Sequence, residues 1–186
     1  MSDKDLNISN HLSNIIFITG GTKSGKSEFA EYLGKKHSNL TYIALSEKRP
    51  EDDKWQEKIR IHRERRPKEW NVIETTDLLD ILKTNHGPLL IDSIGGYIME
   101  HIHSSDEIWA EKINLLIYEL KTRKSTTLIV GEQVGWGLVS EYKIGNLFIE
   151  RLGTLQKELT QISKENWLTL NGRAIKIDRI SMEIPS

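Results

Sequence analysis

An α/β fold built on a largely parallel sheet follows from three features of this sequence. Short apolar runs rich in β-branched residues alternate with amphipathic helical stretches through most of the chain. Several of the runs are continuous rather than alternating, as in strands covered on both faces. The last two strand candidates flank Asn171-Gly172, a hairpin-turn dipeptide, so the chain is expected to close with an antiparallel pair.

The first strand is expected at Ile15-Ile16-Phe17-Ile18. A glycine turn follows it, then a helix from Lys26 to about His37 with Phe29, Ala30 and Leu33 as its apolar stripe. Leu40 to Leu45 reads as the next strand. Residues 52–66 are charged and helix-favouring, and Pro67 ends them because a residue preceding proline avoids helical angles. Asn71 to Ile73 suits a short strand and Leu78, Leu79 and Leu82 a short helix. Leu89-Leu90-Ile91-Asp92 is a buried strand with an acid at its end. Ile108, Trp109, Ile113, Leu116, Ile117 and Leu120 share one helical face, and Thr126 to Val130 forms a strand. The longest helical stripe runs through Ile144, Leu147, Phe148, Leu152, Leu155, Leu159 and Ile162. Trp167 to Leu170 and Ala174 to Ile177 make the closing pair.

At 186 residues the chain suits one domain, placed at 15–180 behind a polar, disordered tail at 1–14. The 26 basic and 27 acidic residues give a net charge of −1, which argues against a globally basic nucleic-acid binder. Cysteine is absent, which excludes disulfides, thiolate metal sites and a cysteine nucleophile. No apolar run approaches the ~20 residues needed to span a bilayer, and the first residues lack the apolar centre of a signal peptide. A cytoplasmic protein without membrane or nucleic-acid partners is expected.

Gly20, Gly21, Thr22, Lys23, Ser24, Gly25, Lys26 and Ser27 match the phosphate-loop pattern G-x-x-x-x-G-K-[ST] at each fixed position, between a strand and a helix. Glycines let backbone N–H groups turn inward around a polyphosphate, and the helix N-terminus favours the same anion. Lys26 suits the β- and γ-phosphate oxygens, and the Ser27 hydroxyl suits Mg²⁺. Asp92 ends a strand where such proteins keep an acid for the metal; the plainer reading is an acid capping the next helix. Glu132 is a candidate second acid at the same sheet edge.

The run from Lys58 to Arg66 carries His62 among cations. On a helix Lys58, Arg65 and Arg66 share its face, which favours a neutral, nucleophilic imidazole. The same arginines suit a triphosphate, whereas a nucleic-acid patch would call for interleaved aromatics that are missing. An inert, solvated histidine is the alternative.

Gly20 to Ser27, Tyr42-Ile43-Ala44, His62-Arg63 with Arg66-Pro67 and Trp70, Glu74, Asp92-Ser93 and Val134-Gly135-Trp136-Gly137 come in a recognisable order. The chain resembles the bifunctional adenosylcobinamide kinase/adenosylcobinamide-phosphate guanylyltransferase family of cobalamin biosynthesis. Ile144 to Phe148 with Arg151-Leu152-Gly153 look most like its cyanobacterial members. The resemblance implies phosphorylation of adenosylcobinamide, then transfer of GMP from GTP through a guanylylated histidine, here His62. It further implies nucleotide contacts at Leu45, Ser46, Glu47, Arg63, Glu64, Arg65, Arg66, Glu74 and Asp92, with GTP and ATP as substrates and a homo-oligomer, a trimer in the family. Glu74 would accept guanine N–H groups; the alternative is a surface acid at a strand end. Gly95-Gly96-Tyr97 and Glu132-Gln133 depart from the usual family residues, around the corrinoid side of the site.

These features together predict a P-loop NTPase domain with a RecA-like sheet. Two other readings stand beside the transferase: a small-molecule P-loop kinase in which His62 is inert, and a RecA-like nucleic-acid ATPase.

Overall fold

The structure, a computed structural model, describes residues 13–45, 51, 57, 60, 65–137 and 140–184. Among them a seven-stranded sheet forms from β1 (Ile15–Gly20), β2 (Thr41–Leu45), β3 (Asn71–Thr75), β4 (Leu89–Asp92), β5 (Thr127–Glu132), β6 (Glu165–Leu170) and β7 (Arg173–Lys176). Their order across the sheet is β3-β2-β4-β5-β1-β6-β7. The pairings are parallel except for β6 with β7. Asn171 and Gly172 both take positive φ, 49° and 75°, as the tight turn between paired strands requires.

Helix α1 (Lys26–Gly34) covers one face of the sheet. Its Ala30 packs with Ile18, Tyr42, Trp70, Leu90, Leu128 and Val130. The other face carries α2 (Leu78–Thr84), α3 (Gly95–Glu100), α4 (Asp106–Thr122) and α5 (Lys143–Ile162) over Phe17, Ile43, Ile91 and Ile129. Central strands are thus buried on both sides, which is why they read as continuous apolar runs. Asp77 and Ser105 cap α2 and α4 by accepting the amides of Asp80 and Ile108. Among the described residues no helix is long and apolar enough to cross a membrane.

The strand expected at residues 71–73 extends to Thr75, and the helix expected to reach His37 ends at Gly34. Gly34 stops there against Trp70: a Cβ would lie 2.8 Å from its ring, and the indole N–H donates to the carbonyl of His37. Ile108 and Ile144 stand near the starts of α4 and α5 and are exposed, so the buried stripes begin one residue or more later. Helix α3 has no counterpart among the elements expected from the sequence, and it opens on two glycines, which disfavour helix. Both glycines answer close contacts. A Cβ at Gly96 would lie 2.0 Å from the carbonyl oxygen of Leu45, and one at Gly95 would lie 2.9 Å from the carboxylate of Glu132. Residues 1–12 of the expected tail lie outside the described residues, while Ser13 and Asn14 bond to Ile162 and Lys124.

Candidate nucleotide site

Parallel strands bring their C-terminal ends to one edge, and the crevice beyond that edge is where open α/β sheets bind ligands. Gly20, Leu45, Thr75, Asp92 and Glu132 all end strands there. The register sets their neighbours: Gly20 lies beside Glu132, and Ala44 lies between Asp92 and Glu74.

The phosphate loop leaves β1 at Gly20 and enters α1 at Lys26. Gly25 caps the helix with φ 98°, a left-handed angle that glycine adopts without strain. The C-terminal hairpin braces the loop from outside. Ser24 Oγ and Thr169 Oγ1 are 2.8 Å apart, and the Gly172 amide donates to the Ser24 carbonyl at 3.1 Å. Ser24 is therefore a buried support of the loop, whereas Thr22 and Lys23 are exposed. Lys26 Nζ donates to the Gly21 carbonyl at 2.7 Å. Partial burial lowers its pKa, opposed by the nearby Glu132 and Asp92 carboxylates.

Asp92 Oδ2 accepts the Tyr42 hydroxyl at 2.5 Å. Burial, with Asp92 beside it, pushes the Tyr42 phenol well above its ordinary range, so it stays protonated and donates. Glu132 accepts the Gly95 amide at 3.2 Å, and burial raises its pKa. Gln133 Nε2 donates to Thr19 Oγ1 and Gln156 Oε1, and Gln156 Nε2 donates to the Glu132 carbonyl at 2.6 Å. This network fixes the end of β5 beside the phosphate loop.

The basic segment is described at its C-terminal end. Arg65 bonds Glu28 of α1 at 2.7 Å and approaches Glu31 at 3.5 Å. Arg66 pairs with Glu31 at 3.5 Å and lays its guanidinium over the Tyr42 ring, 3.3 Å from the centroid. Burial raises the Glu31 pKa, and Arg65 and Arg66 oppose the rise. The helix of the phosphate loop and the basic segment are thereby tied together.

Several expected contacts fall elsewhere. His62, Arg63, Glu64, Ser46 and Glu47 lie outside the described residues. Leu45 is 6% exposed and packs in the core, with Gly96 against its carbonyl, so it shapes the strand end without offering a side chain. Glu74 is on the edge strand, half-buried, two strand spacings or about 10 Å from Asp92. It shares the sheet face of Asp92 but is remote from the phosphate loop.

Sequence reasoning missed Thr169, Gln156 and Glu31. Gln156 carried a signal, since it interrupts the apolar face formed by Leu152, Leu155 and Leu159. Thr169 carried none, because its role comes from a contact across 145 residues.

Ser27 and Asp92 offer a hydroxyl and a carboxylate, hard oxygen donors that suit Mg²⁺. Among the described residues no three His, Cys, Asp or Glu side chains form a cage. Mg²⁺ usually keeps several waters and substrate phosphates as ligands, so two protein oxygens suffice to hold it. The donor set fits the ion.

A family model described as cobinamide kinase / cobinamide phosphate guanyltransferase matches residues 16–177. The bifunctional adenosylcobalamin biosynthesis protein CobU of Escherichia coli (strain K12) is 28% identical over 181 residues, 88% of this chain and 99% of that protein. The protein of the same description from Salmonella typhimurium is 27% identical over the same shares. Among solved structures, a prototypical ATPase from a bacterial type III secretion system matches with TM-score 0.51 at 11% identity, over 84% of this chain and 51% of that one. The assembled ATPase EscN of enteropathogenic E. coli matches with TM-score 0.51 at 12% identity, over 86% and 43%. The chain spans about half the length of these ATPases, and the likeness shows the P-loop NTPase fold.

Proposed function

The chain belongs to the cobinamide kinase / cobinamide phosphate guanyltransferase family, and on that premise we propose that it activates adenosylcobinamide in two steps. In the first, the hydroxyl of the corrinoid's aminopropanol arm attacks the γ-phosphorus of ATP or GTP. The hydroxyl proton is lost and the nucleoside diphosphate leaves. In the second, a ring nitrogen of His62 attacks the α-phosphorus of GTP. A P–N bond forms, the bond to the bridging oxygen breaks, and pyrophosphate leaves. A phosphate oxygen of the phosphorylated corrinoid then displaces the histidine, giving adenosylcobinamide-GDP. The covalent intermediate divides one difficult displacement into two easier ones.

The loop from Gly20 to Ser27 holds the phosphates through backbone amides and Lys26. Ser27 and Asp92 hold Mg²⁺, which neutralises charge on the phosphate oxygens. Arg63, Glu64 and Arg65, with Ser46 and Glu47, complete the nucleotide contacts. Glu74 takes the guanine edge. The enzyme works in the cytoplasm as a homo-oligomer.

One observation carries the guanylyl-transfer half. Arg65 and Arg66, three and four residues beyond His62, sit on Glu28 and Glu31 of the very helix that the phosphate loop opens. This supports a nucleophile held within reach of the same triphosphate. The test is incubation with α-labelled GTP and Mg²⁺. Acid-labile label should remain on denatured protein and vanish in His62→Ala. Wild-type protein that phosphorylates cobinamide without retaining label would reduce the chain to a kinase.

A further inference from the structure

We propose that Tyr42 and Arg66 are positioning residues that aim the Asp92 carboxylate at the nucleotide's Mg²⁺, and that Arg66 acts through Tyr42 rather than as a phosphate ligand. This rests on the reading above, in which Asp92 holds the metal.

Three contacts make a continuous chain. Arg66 stacks on the Tyr42 ring at 3.3 Å, and the Tyr42 hydroxyl donates to Asp92 Oδ2 at 2.5 Å. Glu31 meets the Arg66 guanidinium at Nε, 3.5 Å away. The side chains of Arg66 and Glu31 are only 8% and 6% exposed, and Tyr42 is 2% exposed. An arginine so enclosed, paired with a buried acid and stacked on a ring, is built into the molecule. A move toward a phosphate would take it off the Tyr42 ring and leave the buried Glu31 with Arg65, at 3.5 Å, as its remaining cation.

The arrangement has a consequence for Asp92. The phenol occupies Oδ2 and thereby fixes the plane of the carboxylate, while among the described residues Oδ1 takes no hydrogen bond. A cation over the ring draws electron density from it and strengthens the hydroxyl as a donor. Ligating carboxylates that lose such an outer hydrogen bond bind metal less tightly, typically by about 10- to 100-fold. The geometry also links two parts of the chemistry. Arg66, four residues beyond His62 in sequence, stacks on the phenol that orients Asp92.

Binding of a fluorescent GTP analogue, titrated with Mg²⁺ and repeated in EDTA, tests this in the full chain. Tyr42→Phe should raise the Mg²⁺ concentration at half-saturation by about 10-fold or more, while affinity in EDTA stays at the wild-type value. Arg66→Gln should do the same. Asp92→Asn serves as the reference. If Asp92→Asn leaves the Mg²⁺ dependence unchanged, the metal-site reading falls. If Asp92→Asn shifts it and Tyr42→Phe does not, the positioning role of Tyr42 is overturned. Equal losses in Mg²⁺ and in EDTA for Arg66→Gln would make Arg66 a direct nucleotide ligand. A loss in both media for Tyr42→Phe would mark a role in the fold alone.

Discussion

Lys26 Nζ donates to the carbonyl oxygen of Gly21 at 2.7 Å, bridging the loop across the place where the β- and γ-phosphates belong. The ammonium must exchange a neutral acceptor for an anionic one when nucleotide enters, and charged hydrogen bonds are the stronger kind. Lys26→Ala should therefore weaken nucleotide binding by roughly 10- to 100-fold with little loss of thermal stability.

The same contact carries a pH dependence. Burial lowers the Lys26 pKa in the free protein, and phosphate oxygens would raise it again. Between those two values binding takes up a proton, so affinity falls as pH rises through the lowered one. Below it both states are charged and affinity is level. Calorimetric titration across alkaline pH should show that fall in wild type and none in Lys26→Ala.

Gly20 and Gly21 separate folding from binding. A Cβ at Gly20 would lie 2.3 Å from the carbonyl oxygen of Thr169, a backbone atom that cannot move aside, whereas a Cβ at Gly21 meets nothing within 4 Å. Gly20→Ala should be severely destabilising. Gly21→Ala should melt within roughly 0.5 kcal/mol of wild type, yet bind nucleotide more weakly because the methyl group intrudes where phosphate approaches. Loss of stability in Gly21→Ala would show that this glycine serves the fold.

These glycines also mark how far the sequence could be read. The phosphate loop, the strand-end Asp92 and the Asn171-Gly172 turn are local patterns, in which neighbouring residues alone dictate the backbone. Helix α3 is the opposite case. Its glycines look like a break, and only the Leu45 carbonyl and Glu132 carboxylate pressed against them explain why a helix forms there. The basic segment shows the same limit. Its charges point to a triphosphate, and what they do not tell is that Arg65 and Arg66 also meet acids of α1 that lie 37 and 35 residues earlier. No spacing rule connects positions so far apart.

Glu132 is expected to cost stability for the sake of its position. Burial raises its pKa above the usual 4.5, so the folded state keeps its proton where the unfolded chain has lost it. Stability from this group is full below about pH 4.5 and declines as pH rises to the raised value. Glu132→Gln keeps an oxygen for the Gly95 amide and removes the buried charge. Its melting temperature at neutral pH should exceed that of wild type, and the two proteins should converge in acid. Identical pH profiles would show that Glu132 carries no such penalty.

Arg151 is the structural counterpart, a buried cation that takes part in none of the phosphate-loop contacts. Its guanidinium donates to the carbonyls of His101, Ile102 and Ser104 and pairs with Asp106 at 3.2 Å. It thus clamps the link between α3 and α4 onto α5. Arg151→Met keeps much of the volume but leaves carbonyls without donors. A loss of about 3 kcal/mol is expected, or roughly 6–12 °C in melting temperature for a chain of this size.

Trp136 is the remaining test of the corrinoid step. It is 65% exposed on the loop that leaves β5 just past Glu132, with Val134 also exposed beside it in sequence. An indole left in water on the loop that follows this strand end is an available platform for a flat, largely apolar macrocycle. Trp136→Ala should raise the KM for adenosylcobinamide about 10-fold, the effect of losing roughly 1.4 kcal/mol of contact. The KM for GTP should not change, because none of the phosphate-loop contacts involves this side chain. Steady-state kinetics with each substrate varied in turn separates the two. An unchanged corrinoid KM would remove Trp136 from the acceptor surface, and a parallel rise in both would place the loop in nucleotide binding instead.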